Sequence, residues 1–403
     1  MPSYSSFGQV PPAATTTPEP FTLNIADDAV STFKKLLELA PVAPETHENL
    51  QEDMRWGVSR KWLIEAKKYA LGEFDWRKIE DQVNAFPNYK IPIKDEDGET
   101  HSMHFVGLFS SKADAVPIVL LHGWPGSFLE FLPTLTHLLT KYPTPSTLPY
   151  NLIIPSLPGY ALSSGPPLSH DFTSPLAAHL INELMKTLGY SSYIAQGGDA
   201  GGVIARILAR TYPACTAVHV NFCPLVPSAE MQADIPGMSA QELAGLGQAQ
   251  AWATQDMGYA MLQGTKPSTM GLLLSSSPLA LLAWVGEKLR SWSDEDPSLE
   301  DIVAGVALYW FTESCARNLY PYREGFGSTA KTSLAVEDNY IDKPFGYSWY
   351  PKEINPLPKV WAEKAGKLVW FKYHESGGHF AALEKPVDFA DALEDFVAKV
   401  KSL

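Results

Sequence analysis

The sequence predicts an α/β fold with a mostly parallel central sheet, an inserted helical cap and an N-terminal extension. Between residues 116 and 224, short apolar runs typical of buried parallel strands alternate with segments of helical apolar spacing. Between residues 225 and 329 this alternation stops, and long helical stretches rich in Ala, Leu and Gly replace it. Strand-like runs return in residues 330–403. A strand–helix domain interrupted by a helical insertion explains this order.

Composition argues against several classes of function. The chain has 403 residues, of which 45% are hydrophobic and 19% are charged, as is ordinary for a globular protein. The formal net charge of −14 argues against nucleic acid or an anionic membrane as partner. Cys215, Cys223 and Cys315 have neither metal-site spacing nor the pattern of a disulfide framework. We therefore expect a soluble, cytoplasmic protein with buried thiols, no metal and no cofactor.

The N-terminal part divides into a lead and an extension. Residues 1–20 are rich in Ser, Thr, Pro and Ala and lack the pattern of a secretory signal, so they predict a disordered lead. In the predicted extension, residues 21–115, Asp27 or Asp28 can cap one helix and Ser59 a second. Alternating apolar residues in 91–93 and 104–109 then indicate strands.

The first part of the sheet domain contains two runs typical of buried strands, residues 117–121 and 152–155. The first run ends in the glycine-rich turn His122-Gly-Trp-Pro-Gly-Ser127. A turn of this kind at the carboxyl end of a buried strand belongs at the binding edge of an α/β sheet.

The stretch Tyr193-Ile-Ala-Gln-Gly-Gly-Asp-Ala-Gly-Gly202 predicts a strand, a sharp turn and a helix with one reactive side chain, Asp199, at the tip. Small residues flank Asp199 on both sides in the pattern of a nucleophile elbow, which more often carries Ser. Larger side chains there would clash with the neighbouring strand and helix. An ordinary glycine-rich turn between strand and helix is the alternative interpretation.

A nucleophile at an elbow works with a base and with a group that orients the base. In this arrangement the chain order is nucleophile, acid, histidine, and two histidines follow the cap, His374 and His379. We favour His379 because it lies in a glycine-rich loop, residues 376–380, just after the last predicted strand. His374 lies closer to the strand end and has no flanking glycines.

The orienting acid should follow the preceding strand, predicted at residues 345–349. Glu353 follows that strand and is the preferred candidate, since it could hold the tautomer of the imidazole and stabilise its charged form. Glu337, Asp338 and Asp342 are rivals, but they precede the strand and are more typical of solvated loop charges.

An aspartate at the elbow restricts the chemistry. Its carboxylate is ionised at pH 7 and can displace a leaving group at saturated carbon, which forms an alkyl ester. His379 would then activate the water that hydrolyses this ester. Backbone N–H groups of Ala200 and Trp124 could bind the oxyanion formed on the aspartyl side chain.

A halide and a strained ether oxygen are both suitable leaving groups. An epoxide oxygen would need a proton donor as the ring opens, and buried phenols are good candidates. The predicted cap contains Tyr259 and Tyr320, with Tyr322 as a near rival for the second. Core packing of an amphipathic ring is the alternative interpretation for each.

Six short motifs, taken together, are similar to those of a known family. They are Glu73-Phe-Asp-Trp-Arg77, Asn84-Ala-Phe-Pro87, His122-Gly-Trp-Pro-Gly-Ser127, Gly197-Gly-Asp-Ala-Gly-Gly202, Gln263-Gly-Thr-Lys-Pro267 and Gly377-Gly-His-Phe380. On these the chain resembles the microsomal-type epoxide hydrolases, most closely their soluble fungal members, over nearly everything after residue 21. The resemblance implies an α/β-hydrolase fold with a helical cap and a wrapping N-terminal extension. It also implies Asp199 as nucleophile, His379 as base, Glu353 as its acid, and Tyr259 with Tyr320 as donors to the epoxide oxygen.

The leading hypothesis is therefore a cofactor-free enzyme that opens apolar or aromatic epoxides to vicinal diols. Its partners would be the epoxide and water, without membrane attachment, and the resemblance adds a possible homodimer. A haloalkane dehalogenase, with Trp124 as half of a halide site, is the second hypothesis. The third is a protein that binds hydrophobic ligands and has lost turnover.

Overall fold

The part of the chain that the structure describes contains a mixed sheet of nine strands. This structure is a computed structural model and describes residues 3–326 and 336–403. The strands are β1 (Glu19–Pro20), β2 (Asn88–Lys94), β3 (Thr100–Leu108), β4 (Val116–Leu121), β5 (Tyr150–Pro155), β6 (Tyr193–Gly197), β7 (Cys215–Val220), β8 (Ile341–Trp349) and β9 (Gly366–Tyr373).

The sheet has the order β1-β2-β3-β5-β4-β6-β7-β8-β9. From β5 to β9 all neighbouring strands are parallel, whereas β1, β2 and β3 add an antiparallel edge. The central strand β4 pairs with β5 on one side and β6 on the other, through Ile118 opposite both Leu152 and Ile194. Strands buried on both faces need apolar runs, which is why β4 and β5 were recognisable in the sequence. The predicted α/β fold is confirmed.

Helices cover the sheet and build the cap. Before and between the strands are α1 (Asp27–Leu39), α2 (Arg60–Gly72), α3 (Trp76–Asn84), α4 (Leu132–Lys141), α5 (Ser174–Thr187) and α6 (Asp199–Thr211). The cap contains α7 (Ala229–Gln232), α8 (Ala240–Ala251), α9 (Gly258–Thr265), α10 (Pro267–Leu274), α11 (Pro278–Ser291), α12 (Leu299–Phe311) and α13 (Tyr320–Phe326). The helices α14 (Val336–Asn339), α15 (Lys359–Ala365), α16 (Ala381–Glu384) and α17 (Pro386–Lys401) complete the described chain.

The described part of the N-terminal lead, residues 3–20, packs against the rest of the chain, so the prediction of a disordered lead is wrong for these residues. Phe7 is only 2% exposed, the N–H of Tyr4 donates to the carbonyl of Ala85 at 2.8 Å, and the N–H of Phe109 donates to the carbonyl of Phe7 at 2.8 Å. Strand β1 then pairs with β2. A buried aromatic ring and strand pairing stabilise this segment despite its polar composition, which an average over residue types does not show.

The extension joins the sheet to the cap. Its strands β2 and β3 belong to the central sheet, because β3 pairs with β5, so this part of the segment is not a separate layer. Its helices contact the cap through Phe311, whose ring lies 5.3 Å from that of Phe33 and 4.8 Å from that of Trp76. Phe33 and Trp76 of the extension thus pack against the cap.

Two of the long cap helices that the sequence indicated are each interrupted. A π-helical segment, Trp252–Asp256, separates α8 from α9, and Pro278 begins α11 after a break that follows α10. Among the described residues no single helix is long and apolar enough to cross a membrane, although the bent pair α10 and α11 meets that test when the two are taken together. The predicted end of the cap at residue 329 lies outside the described residues.

Candidate active site

The sharp turn between β6 and α6 presents Asp199. The backbone of Asp199 has φ of +48°, a left-handed conformation that non-glycine residues rarely adopt. Neighbouring glycines permit it: a Cβ at Gly197 would lie 2.2 Å from the carbonyl oxygen of Gly201, and one at Gly201 equally close to that of Leu121. Gly123 on the facing turn leaves room for the aspartate itself, since a Cβ there would lie 2.1 Å from its Oδ1. The predicted elbow geometry is present.

The structure brings Asp199 together with the two predicted partners. His379 follows β9, Glu353 follows β8, and both side chains are buried. Nδ1 of His379 lies 2.7 Å from Oε1 of Glu353, and its Nε2 lies 3.3 Å from Oδ2 of Asp199. One imidazole therefore connects the two carboxylates at the carboxyl edge of the sheet.

The charges of this triad determine the protonation of His379. Burial disfavours the imidazolium ion, but the negative charges of Glu353 and Asp199 outweigh burial and raise the pKa of His379 to about 10. At neutral pH the ligand-free site therefore holds a protonated histidine between two carboxylates.

One oxygen of Asp199 is already held by the predicted oxyanion donor. The backbone N–H of Trp124 donates a hydrogen bond of 2.7 Å to Oδ1 of Asp199. The Trp124–Pro125 peptide bond is cis. Ala200 lies in the first turn of α6, where backbone N–H groups have no partner within the helix. Its part in binding an oxyanion stays a prediction.

Two cap tyrosines lie opposite Asp199. The rings of Tyr259 and Tyr322 are 5.6 Å apart at 77°. Both line, with Asp199, a cavity of about 270 Å³ between the sheet edge and the cap. Burial, aided by the charge of Asp199, holds the pKa of Tyr259 well above its ordinary value, so it is a neutral phenol at neutral pH.

Comparison with known proteins assigns this chain to a family. The family model "Epoxide hydrolase N terminus" matches residues 18–131, and the model "alpha/beta hydrolase fold" matches residues 116–222. A putative epoxide hydrolase of Dothistroma septosporum is 43% identical over 392 residues, which cover 96% of this chain and 91% of the relative. The chain belongs to the epoxide hydrolase family.

Solved structures agree with this assignment. The epoxide hydrolase of Aspergillus niger superposes with a TM-score of 0.91 at 44% identity, covering 98% of this chain and 99% of that one. The juvenile hormone epoxide hydrolase of the silkworm Bombyx mori gives a TM-score of 0.85 at 26% identity, covering 96% of each chain. The protein is an epoxide hydrolase with an α/β-hydrolase fold.

In this epoxide hydrolase the second tyrosine of the cavity is Tyr322, and the prediction of Tyr320 is corrected. Tyr320 is buried on the other side of α13, with its ring 4.9 Å from Phe172 and 6.4 Å from Tyr160. Two residues along a helix differ by about 200° in direction, so the two tyrosines cannot face the same cavity. The sequence spacing left both open, and the docking of α13 decides between them.

The rivals for the other roles lie elsewhere. His374 stacks on Tyr350 with ring centres 4.1 Å apart and lies 3.3 Å from the hydroxyl of Ser348, and burial lowers its pKa to about 4. Asp342 lies at the start of β8, at the opposite end of the strand from Glu353, and Asp338 is exposed in α14. The side chain of Glu337 is outside the described residues.

Glu130 is a residue of the site that the sequence analysis missed. It lines, with Asp199, His379 and the buried Gln196, a small cavity of about 10 Å³ behind the elbow. Burial raises the pKa of Glu130 to about 8. The available signal was a lone acid among Phe128, Leu129 and Phe131, directly after the glycine-rich turn.

Proposed function

We propose that this enzyme opens apolar epoxides through a covalent ester on Asp199, which water activated by His379 then hydrolyses to the vicinal diol. The observation that carries the proposal is the position of Asp199. This carboxylate lies in one cavity with two neutral phenols and is also 3.3 Å from an imidazole held by Glu353. Such a site has a nucleophile, proton donors and a base, which both halves of the reaction need.

In the first step Oδ2 of Asp199 attacks a ring carbon of the epoxide. The carbon–oxygen bond of the ring breaks, and a proton moves from Tyr259 or Tyr322 to the departing oxygen. The N–H of Trp124 keeps Oδ1 in place, so Oδ2 is the freer oxygen for attack. The phenols suit this role because they are still protonated at neutral pH.

In the second step His379 takes a proton from water, which attacks the carbonyl carbon of the ester. Asp199 carries no charge once it is esterified, so one of the causes of the raised pKa of His379 is removed. The neutral imidazole, which is the form that can act as base, therefore becomes more accessible after the first step. Trp124 then donates to the oxyanion on Oδ1.

The small cavity behind the elbow suits the hydrolytic water. Its volume of about 10 Å³ is close to what one water needs, and it borders both Asp199 and His379. Oε1 of Gln196 and Nε2 of His379 are buried there without a completed hydrogen bond among the described residues. We assign to Glu130 and Gln196 the task of holding this water on the side of Asp199 that faces away from the epoxide.

The substrate cavity favours apolar epoxides. Besides the reacting groups, its lining is dominated by apolar and aromatic side chains, including those of Phe222, Leu225, Trp252, Met257, Phe326 and Ile354. Burying an apolar substituent against such a surface stabilises the complex by about 25 cal/mol for each Å² removed from water.

A single turnover in oxygen-18 water tests the route. With enzyme in excess over styrene oxide, the first diol should contain no label, because its new oxygen comes from Asp199. The label should instead appear in the peptide that contains Asp199, as measured by mass spectrometry. The variant Asp199→Ala should form neither diol nor labelled peptide.

Two results would contradict the proposal. Labelled diol in the first turnover would mean direct attack by water, with Asp199 as base. Release of bromide from an alkyl bromide, with no diol from any of several epoxides, would favour the dehalogenase hypothesis.

A further inference from the structure

A buried lysine lies over the ring of Tyr259. Lys288, in α11, is only 6% exposed. Its Nζ is 4.5 Å from the centre of the Tyr259 ring, 5.8 Å from that of Trp284 and 5.9 Å from that of Trp292. The ammonium group is therefore surrounded by aromatic rings, one of which belongs to a tyrosine that faces Asp199.

Packing alone does not explain a lysine at this position. Taking an ammonium ion out of water is unfavourable unless other groups compensate, and a Leu or Met would pack between these rings without that cost. Attraction to three ring faces and pairing with Glu287 offset the cost. Among the groups that approach Tyr259, Lys288 supplies positive charge, whereas Asp199, Glu287 and Glu353 supply negative charge.

We propose that Lys288 is a positioning residue for epoxide opening: its ammonium group stabilises the negative charge that develops on Tyr259. This inference rests on the proposed function. As the bond between Asp199 and the ring carbon forms, the electrons of the breaking carbon–oxygen bond go to the epoxide oxygen. That oxygen takes the phenol proton of Tyr259, which becomes a phenolate. A cation over the ring is attracted more strongly to the phenolate than to the phenol, so it lowers the barrier to this step.

The stabilisation should depend on how much negative charge Tyr259 acquires. When the departing oxygen of the epoxide is strongly basic, the proton of Tyr259 is largely transferred in the transition state, and Tyr259 carries more negative charge. When the oxygen is weakly basic, less of the proton is transferred. Lys288 should therefore matter more for 1,2-epoxyhexane than for 3,3-difluoro-1,2-epoxyhexane, in which fluorine atoms beside the ring make the departing oxygen less basic. If Lys288 had only a structural role, replacing it would slow ester formation from the two epoxides equally.

The experiment measures the rate of ester formation on Asp199 in single turnovers, by rapid quenching and mass spectrometry, with both epoxides. Lys288→Met keeps an unbranched apolar side chain that is one atom shorter, and it removes the charge. It should slow ester formation from 1,2-epoxyhexane by about tenfold, the scale of a desolvated cation–π contact, and affect the fluorinated analogue less. Lys288→Arg, which keeps the charge, should recover most of the rate.

Two further variants sharpen the result. Glu287→Gln removes the anion that pairs with Lys288, so its rate should equal or exceed that of the natural enzyme. Lys343→Met is the matched control, because Lys343 is a partly buried lysine that donates to the carbonyls of Tyr212 and Cys215, remote from the site. It should leave the ratio of the two epoxide rates unchanged.

The inference would be overturned if Lys288→Met slowed ester formation from both epoxides equally, or slowed neither. It would also be overturned if Glu287→Gln reduced the rate of ester formation as much as Lys288→Met does. Those results leave the proposed function intact as long as the natural enzyme forms the ester. If the natural enzyme forms no ester, the proposed function itself fails.

Discussion

The sheet edge and the cap hold their site residues by different means. At the sheet edge, hydrogen bonds and ion pairs of 2.7 to 3.3 Å join Asp199, His379, Glu353 and the N–H of Trp124. In the cap, Tyr259 is held mainly by neighbouring rings, with Trp124 stacked at 5.5 Å and Trp292 at 5.2 Å. Strand ends and glycine turns thus determine the triad, whereas the packing of helices determines the donors.

This division assigns one half of the proposed reaction to each region. In the proposed reaction the cap would supply the protons needed to form the ester, and the sheet edge would supply the base needed to hydrolyse it. Variants in the two regions should therefore fail at different steps, which kinetic measurements of the separate steps can distinguish.

The largest effect is expected from His379→Gln. Without the base, the ester should still form but hydrolyse very slowly, so kcat should fall by about 10³-fold or more. Intact-mass spectrometry should detect enzyme carrying the mass of one styrene oxide. A variant that loses activity without accumulating this ester would place His379 in the first step and remove the division between the two regions.

A smaller loss is expected from Tyr322→Phe. Removing one proton donor should slow ester formation by about 10²-fold, because general acid catalysis contributes on this scale. Tyr320→Phe is the matched control from the same helix, and its rate should stay within about twofold of the natural enzyme, since its ring faces Phe172. The reverse order of effects, measured in single turnovers, would restore Tyr320 as the donor.

Glu130 should make stability depend on pH. Its pKa is raised by burial to about 8 in the folded protein, against an ordinary value of 4.5. A raised pKa means that the contribution of Glu130 to stability is fully present below pH 4.5 and is lost as the pH rises through 8. Relative to the natural enzyme, Glu130→Gln should therefore gain stability between pH 5 and pH 9 in urea unfolding. If the difference in free energy of unfolding between Glu130→Gln and the natural enzyme does not change with pH, Glu130 is ionised in the folded protein.

The smallest effect on catalysis is expected from Phe7→Ala in the lead. Deleting this buried ring should cost about 3 kcal/mol of folding free energy and lower the melting temperature. The rates of ester formation and hydrolysis at 25 °C should be nearly unchanged, because Phe7 lies away from both the triad at the sheet edge and the tyrosines of the cap. The exposed Leu168→Ala is a control for loss of apolar bulk at the surface. An unchanged melting temperature in Phe7→Ala would support the original prediction of a disordered lead.

The parts of the site that the sequence could predict are those with local signals. Asp199 stands between pairs of small residues that a sharp turn needs, and His379 follows glycines directly after a strand. Glu353 follows the neighbouring parallel strand, and the carboxyl ends of parallel strands meet at one edge. Their positions after β6, β8 and β9 therefore implied that these three residues lie at one edge of the sheet.

The remaining residues had weaker local signals. Tyr320 and Tyr322 lie in the same short helix, where Tyr320 is buried and Tyr322 is half-buried. Glu130 and Lys288 are charged residues in apolar surroundings, and on a sequence such residues look like solvated positions. The composition of residues 3–20 concealed the packing of two aromatic rings, since Phe7 is buried and the ring of Tyr4 lies 4.8 Å from that of Phe86.

The sequence by itself determined the α/β fold with its cap and the identity of the three residues at the sheet edge. These features depend on hydrophobic periodicity and on turns, which involve residues close together along the chain. Only the tertiary structure decided which cap tyrosine faces Asp199, which acid lies behind it, and which lysine lies over the ring of Tyr259. Such choices depend on how helices rotate as they pack, and residues far apart in the chain set that rotation through side-chain shape.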